Sequence, residues 1–385
     1  MKIFYWSPFI SRVATTISVI RSAESIIKYS KKENIVNLAI IDAIGEWEDY
    51  KKLIDPKLEI INLSKKKILK YLPKGGFFKS RISYVLIFFF SFFKLSNLIK
   101  KEKPDYLIVH LLSSLPIFLT LITKTKTKII LRISGLPKLN LIRKIFWKLF
   151  SKKIYKVTCP TITTYKHLKE MNIFEKNKLF VLRDPVIQLR EFLEKKKEKI
   201  KNLKIEKNNL IIGIGRLTRQ KNFLLLVRAF KQILIKYPNY HLILLGEGEE
   251  KNLLVKEVQK LKIQNKVSFL GYQKNVYKYL LNSNCFILTS LWEDPGFVLI
   301  EAALANTLII SSNCPNGPNE ILSNGQNGFL FQNNNLSDLL NKFNEFKNLT
   351  EDELNKKKLL AKKQIKKFTQ FTHFKSLEKI INLNG

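Results

Sequence analysis

Cysteine is scarce in this 385-residue chain: Cys159, Cys285 and Cys314 are the only three, far apart and each in or beside an apolar run. An odd, scattered set excludes a disulfide scaffold and predicts buried thiols in a reducing compartment. His110, His167, His241 and His373 are the only histidines. They show no H-x-x-x-H spacing and the cysteines no C-x-x-C, so no protein-held metal is expected. Glycine (14) and proline (12) are too few for a collagen-like or low-complexity chain. Long hydrophobic runs are missing as well. The longest, 82–93 (ISYVLIFFFSFF), stops at Lys94, short of the roughly 18–20 residues that span a bilayer; it predicts a buried or interfacial helix. The opening MKIFYWSPFISR has too short an apolar run, and no small-residue cleavage site, for a signal peptide. Carboxylates are the last shortage, 31 against 68 Lys and Arg, for a net charge of +37. That balance points to an anionic partner: nucleic acid, a membrane surface or an anionic ligand. Part of it follows from Lys, Asn and Ile being abundant everywhere, as in AT-rich coding.

What is present is ample apolar material, 45% of residues, enough for two cores. Near-continuous apolar runs at 2–6, 36–41, 58–63, 106–110, 128–133, 156–159 and 179–182 read as parallel strands buried on both faces. Helical patterns such as 16–31 and 82–101 alternate with them. The charged stretch 190–207 (REFLEKKKEKIKNLKIEK) reads as a connector. A second series follows, with strands at 210–214, 241–245, 267–270, 285–288, 307–311 and 329–331 and helices at 223–237, 253–262, 275–282 and 297–305. The fold class is therefore α/β: two Rossmann-like doubly wound domains facing across a cleft. The expected divisions are a first domain at 1–190, a linker at 191–207 and a second domain at 208–365. A C-terminal helix at 366–385 is expected to pack back on the first domain.

Two motifs carry chemistry. In Gly213-Ile-Gly215-Arg216-Leu217-Thr218, directly after a strand, Thr218 fails the third glycine of a dinucleotide fingerprint. The cations Arg216 and Lys221, five residues apart at that strand's end, can instead converge on one pyrophosphate. In the second motif, Ser290-Leu-Trp-Glu293-Asp-Pro-Gly296-Phe297-Val298-Leu-Ile-Glu301, a buried strand runs into a loop and then a helix. Pro295 and Gly296 leave the helix N-terminus open to anionic or hydroxyl oxygens. Glu293 and Glu301 flank it, and carboxylates accept sugar hydroxyls well.

With these residues in place, the chain resembles the family 4 (group 1) retaining glycosyltransferases of the GT-B type. E-x7-E matches Glu293 to Glu301, and G-R-L-x-x-x-K matches Gly215 to Lys221. Gly246-Glu-Gly248, Phe269-Leu-Gly271, Pro315-Asn-Gly317-Pro-Asn-Glu320 and Asn327-Gly-Phe-Leu support the match over 210–331. The resemblance implies that Arg216 and Lys221 hold a nucleotide diphosphate, that Glu301 takes the ribose, and that Glu293 with the Gly296–Phe297 amides takes the donor sugar. Catalytic roles then fall to Glu293, Arg216 and Lys221, and donor binding to Gly215, Gly271, Gly296, Phe297, Val298 and Glu301. Two departures lie in the first domain. The first loop, 7–15, lacks the family's glycine pair, and Ser134 stands where many members have His before Gly135. Arg12, His110, Arg132 and Ser134 are the candidates for the first domain's side of the cleft.

A third feature is a basic collar (Lys65, Lys66, Lys67, Lys70, Lys74, Lys79, Arg81) beside the Phe-rich run. It fits monotopic docking on an anionic membrane; a core helix with a solvated cationic loop fits it too. No RNP, KH or zinc pattern supports nucleic acid. The expected reaction is sugar transfer from a nucleotide sugar to a glycan or lipid-linked acceptor, as in cell-surface polysaccharide or lipopolysaccharide synthesis. It would proceed with retention, without metal or other cofactor, in a cytoplasmic enzyme resting on the inner face of the cell membrane. The rivals are a nucleotide-sugar epimerase or hydrolase of the same fold, and a non-catalytic basic binding protein.

Overall fold

The computed structural model describes residues 1–10, 14–31, 37–64, 67–73, 77–123, 125–137, 139, 141–200 and 209–382. Arg12, Lys65, Lys66, Lys74, the connector residues 201–207 and residue 208 lie outside them. The chain forms two compact units, 1–185 with 370–385, and 186–369. The division falls at Pro185 rather than 190, so the start of the charged connector belongs to the second unit.

The first unit holds a seven-stranded parallel sheet: β1 (Lys2–Trp6), β2 (Asn37–Asp42), β3 (Glu59–Asn62), β4 (Tyr106–Val109), β5 (Lys128–Arg132), β6 (Lys156–Cys159) and β7 (Leu179–Val181). Their order is β3-β2-β1-β4-β5-β6-β7. Alternate strand residues feed two cores. Phe4, Trp6, Ile41, Val109 and Leu131 pack under helices α2 (Phe77–Glu102), α3 (Ser114–Ile122) and α4 (Leu141–Phe150). On the other face Ile3, Tyr5, Ile40, Ile108 and Ile130 meet α1 (Ala14–Tyr29) and α14 (Gln370–Ile381). Phe374, Leu377, Ile380 and Ile381 of α14 are all buried, worth about 1.5–3 kcal/mol each. The helix α5 (Ile162–Glu170) links β6 to β7.

The helix expected at 82–101 runs from Phe77 to Glu102, 26 residues, and what is corrected is the expectation that its apolar run is too short to span a bilayer. By length and composition Phe78–Glu102 is long and apolar enough to cross a membrane, the one such helix among the described residues. Lys94, Ser96 and Asn97 interrupt hydropathy without breaking a helix. Its packing decides its role. Ser83, Ile87, Ser91, Leu95 and Ile99, spaced four apart, are buried, and the three apolar ones lie in the sheet's core. That row is already committed to the core beneath the sheet.

The second unit is a six-stranded parallel sheet of β8 (Leu210–Ile214), β9 (His241–Leu245), β10 (Val267–Phe269), β11 (Cys285–Leu288), β12 (Leu308–Ser312) and β13 (Phe329–Phe331). The order is β10-β9-β8-β11-β12-β13. Its helices are α6 (Leu189–Lys195), α7 (Phe223–Lys236), α8 (Lys251–Lys260), α9 (Tyr277–Leu280), α10 (Phe297–Leu304), α11 (Pro318–Ile321), α12 (Leu336–Lys347) and α13 (Glu351–Gln364). A capping box between Thr350 and Glu353 starts α13. The expected helix at 275–282 shrinks to the single turn of α9. In both sheets the strand order reverses beside the first strand, at β1/β4 and at β8/β11.

Candidate functional site

In open α/β sheets, ligands bind outside the strand carboxyl ends where the strand order reverses. In the second unit that point is β8/β11, and both motifs sit on it: Gly215 to Lys221 leaves β8, and Glu293 to Glu301 follows β11.

Backbone bonds stitch the loops together. Gly215 N donates to Leu245 O at 2.9 Å, Leu217 N to Glu247 O at 2.9 Å, and Gly246 N to Gly271 O at 2.8 Å. Gly215, Gly246 and Gly271, which follow β8, β9 and β10, thus form one row. A Cβ on Gly246 would stand 1.9 Å from Gly215 O, so only glycine fits. Thr218 N donates to Arg216 O at 2.8 Å and Lys221 N to Thr218 O at 2.9 Å, closing a turn that carries the Lys221 side chain back beside Gly215.

There Lys221 Nζ meets Glu293 Oε1 at 2.5 Å, with the two side chains only 12% and 5% exposed. Ser290 Oγ donates to the same oxygen at 2.6 Å, and Ser312 Oγ donates to Ser290 O at 2.6 Å. One oxygen of Glu293, Oε1, is therefore held by both a cation and a hydroxyl. Arg216 is exposed and reaches Gln220 Oε1 at 3.3 Å. Gln220 in turn donates to Trp292 O at 3.0 Å and accepts from Leu291 N at 2.8 Å, tying the β8 turn to the β11 loop.

Gly296, left-handed at φ +92°, caps α10. Phe297 and Val298 form its half-buried first turn, and Glu301 is half-buried one turn further on. The loop is braced from behind. Glu293 N donates to Pro315 O at 3.1 Å, Asn316 Nδ2 donates to Asp294 Oδ1 at 2.7 Å, and a Cβ on Gly317 would stand 1.9 Å from Pro295 O. Burial, with the Glu293 charge adding to it, pushes the nearby Cys314 thiol up to about 12. It stays protonated and is no nucleophile. Among the described residues no group of three or more His, Cys, Asp and Glu is placed to hold a metal ion.

The second-unit candidates are thus brought to one sheet edge: Gly215, Arg216, Lys221, Gly271, Glu293, Gly296, Phe297, Val298 and Glu301. Two cations and a helix start can hold a diphosphate, and carboxylate oxygens can take hydroxyls. Sequence reasoning missed Ser290 and Gln220 as the groups that set Glu293 and the turn. The signal for Ser290 was a hydroxyl three residues before the carboxylate.

The first-unit candidates divide differently. Arg12 lies outside the described residues. Ser134 is half-buried in the loop after β5. His110 follows β4 with Nδ1 enclosed and unpartnered. Burial first, then Arg132 and His373 beside it, holds its pKa well below the usual range, so the ring is neutral. Arg132 does not face a ligand. Its side chain is 2% exposed and Nη2 pairs with Asp184 Oδ1 at 2.7 Å; Nη1 donates to Leu182 O, and Ser18 donates to Asp184. A buried guanidinium needs such a partner, and Asp184 is 52 residues away, beyond any spacing argument.

Residues 194–367, within the second unit, match the family described as "Glycosyl transferases group 1". An uncharacterized glycosyltransferase of Methanocaldococcus jannaschii is 38% identical over 256 residues, 60% of this chain and 61% of that protein. The chain thus spans about three fifths of that curated relative. The Escherichia coli UDP-Gal:alpha-D-GlcNAc-diphosphoundecaprenol alpha-1,3-galactosyltransferase is 28% identical over 65% of the chain and 68% of its own length. Among solved structures, Anabaena HepE in complex with UDP and glucose aligns with a TM-score of 0.74 at 13% identity, covering 99% of each chain. That likeness shows the fold: the α/β GT-B plan of two Rossmann-like domains.

Proposed function

We propose that the chain transfers a sugar from a nucleotide-sugar donor to a hydroxyl of a glycan or lipid-linked acceptor, in cell-surface polysaccharide or lipopolysaccharide synthesis. The observation that carries the reading is the set Arg216, Lys221, Glu293 and Glu301 at the β8/β11 reversal of a unit that matches the group 1 family. The E. coli relative is named for galactosyl transfer to a diphosphoundecaprenol-linked sugar, and HepE holds UDP and glucose; both support donor and acceptor classes of this kind.

In this reading the chemistry needs charge compensation at the leaving diphosphate. Arg216 and Lys221 supply it, and the α10 amides from Phe297 onward add partial positive charge. Glu293 Oε2 accepts a sugar hydroxyl while Oε1 stays anchored, and Glu301 accepts from the ribose. We propose retention of the anomeric configuration and no requirement for a divalent metal. The first unit would take the acceptor, the chain would work in the cytoplasm resting on the inner face of the cell membrane, and nucleic acid would not be a partner.

The test is a panel of nucleotide sugars in a thermal-shift assay on the full chain, with hits carried to donor hydrolysis and the product anomer read by NMR. Stabilisation that needs the diphosphate and fails in Arg216→Ala is expected. If no nucleotide sugar or nucleoside diphosphate shifts the melting temperature, the reading is wrong.

A further inference from the structure

Cations are not spread evenly along the chain. Between residues 60 and 169 there are 24 Lys and Arg but only two carboxylates, Glu102 and Asp105. This 110-residue stretch therefore supplies 24 − 2 = +22 of the +37 total. A coding bias would not empty one stretch of acids and spare the rest.

The same stretch builds α2, α3 and α4, which cover one face of the first sheet. With α2 packed through its Ser83–Ile87–Ser91–Leu95–Ile99 row, the opposite row should be polar. It is Phe78, Ile82, Val85, Phe89 and Phe93, between 53% and 80% exposed. The helix α4 repeats the arrangement. Trp147 and Phe150 are buried, whereas Leu141, Ile142, Ile145 and Leu149 are 51% to 77% exposed. Exposed cations flank both rows: Lys79, Arg81 and Lys94 on α2, and Arg143, Lys144 and Lys148 on α4. Both helices pack their inner rows, Ile87, Leu95 and Ile99 of α2 and Trp147 and Phe150 of α4, into the same core of the first sheet, and the Arg143 guanidinium lies 4.9 Å from the Trp147 ring centroid. Each helix runs from a strand's carboxyl end, so both apolar rows begin there, on the side of the sheet where ligands enter.

Monomeric soluble proteins rarely leave so much aromatic and aliphatic surface in water. An apolar stripe edged by cations is complementary to acyl chains beneath anionic headgroups. We propose that the outward rows of α2 and α4 form one docking face for an anionic phospholipid bilayer, entered side-on and not spanned. This deepens the membrane placement proposed above, giving it a surface and a second anchoring helix. A lipid-linked acceptor would reach the first unit without leaving the bilayer.

The test is flotation of the full chain with phosphatidylcholine vesicles, with and without phosphatidylglycerol. Binding should require phosphatidylglycerol and fall about tenfold between about 50 and 300 mM salt. Phe89→Ser/Phe93→Ser and, separately, Ile142→Ser/Leu149→Ser should each weaken it by about tenfold or more, with nucleoside-diphosphate binding by calorimetry unchanged. Absence of flotation at low salt, equal binding to neutral vesicles, or full binding by either variant overturns the proposal. So does lipid-free dimerisation that the variants abolish, which would assign the face to a second copy. A chain that floats but binds no nucleotide would sink the proposed activity and leave this face standing.

Discussion

The Lys221–Glu293 pair can be taken apart with Lys221→Met, Glu293→Gln and the double variant. The pair is 2.5 Å long and almost fully enclosed. Unit charges about 4 Å apart attract by about 4 kcal/mol at an effective dielectric of about 20, and desolvation of both ions opposes most of that gain. Losing one partner is different, because the other remains buried without a counter-charge, at a cost of about 3–5 kcal/mol. Lys221→Met should fall at the lower end, since Glu293 keeps the Ser290 hydroxyl. Glu293→Gln should fall higher, leaving an ammonium against a neutral amide. The double variant should recover most of either loss, for a coupling of about 3 kcal/mol. Urea unfolding of the full chain, followed by hydrogen exchange of the 285–304 segment, reads this locally. Single variants that each cost under about 1 kcal/mol, or losses that simply add, would refute the reasoning.

Arg216→Ala should weaken nucleoside-diphosphate binding by about 1.5–3 kcal/mol in calorimetry, the range for charged hydrogen bonds; unchanged affinity would remove Arg216 from the site. Donor hydrolysis should persist in excess chelator, and a rate that collapses and returns with Mg²⁺ or Mn²⁺ would overturn the charge-compensation scheme. His373, enclosed between Ser22 Oγ at 2.8 Å and Arg183 O at 2.6 Å, has its pKa pushed down to about 4, mainly by burial. The unfolded chain takes up this proton near pH 6.5 and the folded one only near 4. Stability of the first unit should therefore be complete above about pH 6.5 and fall by about 3 kcal/mol toward pH 4. Circular dichroism melts of His373→Asn across that range should show a flatter slope.

Strands were the most legible part of the fold. Parallel strands are buried on both faces, so each stands out as an unbroken apolar run, and all thirteen lie within a residue or two of their expected bounds. Helix α2 was legible as a pattern at 82–101, but its length of apolar surface was not, because outward charges such as Lys94 end a hydropathy run without ending a helix. In the candidate site, the E-x7-E and G-R-L-x-x-x-K spacings could be read because each lies within one strand–loop–helix segment. What could not be read were partners brought from elsewhere in the chain. Ser312 reaches the Glu293 loop through Ser290, and Asp184 takes Arg132 out of contention as a ligand contact.

The first unit is made of two pieces, 1–185 and 370–385, with the second unit inserted between them. Translation delivers the 184 residues 186–369 in between, which at about 5–20 residues per second takes about 10–40 s. During that wait Ile3, Tyr5, Ile108 and Ile130 lack the Phe374–Leu377–Ile380 side of their core. The half of the protein synthesised first is thus completed last, after its partner has everything it needs to fold. A ribosome stalled before residue 370 would release a finished second unit attached to an open, apolar first one, the kind of species chaperones and proteases recognise.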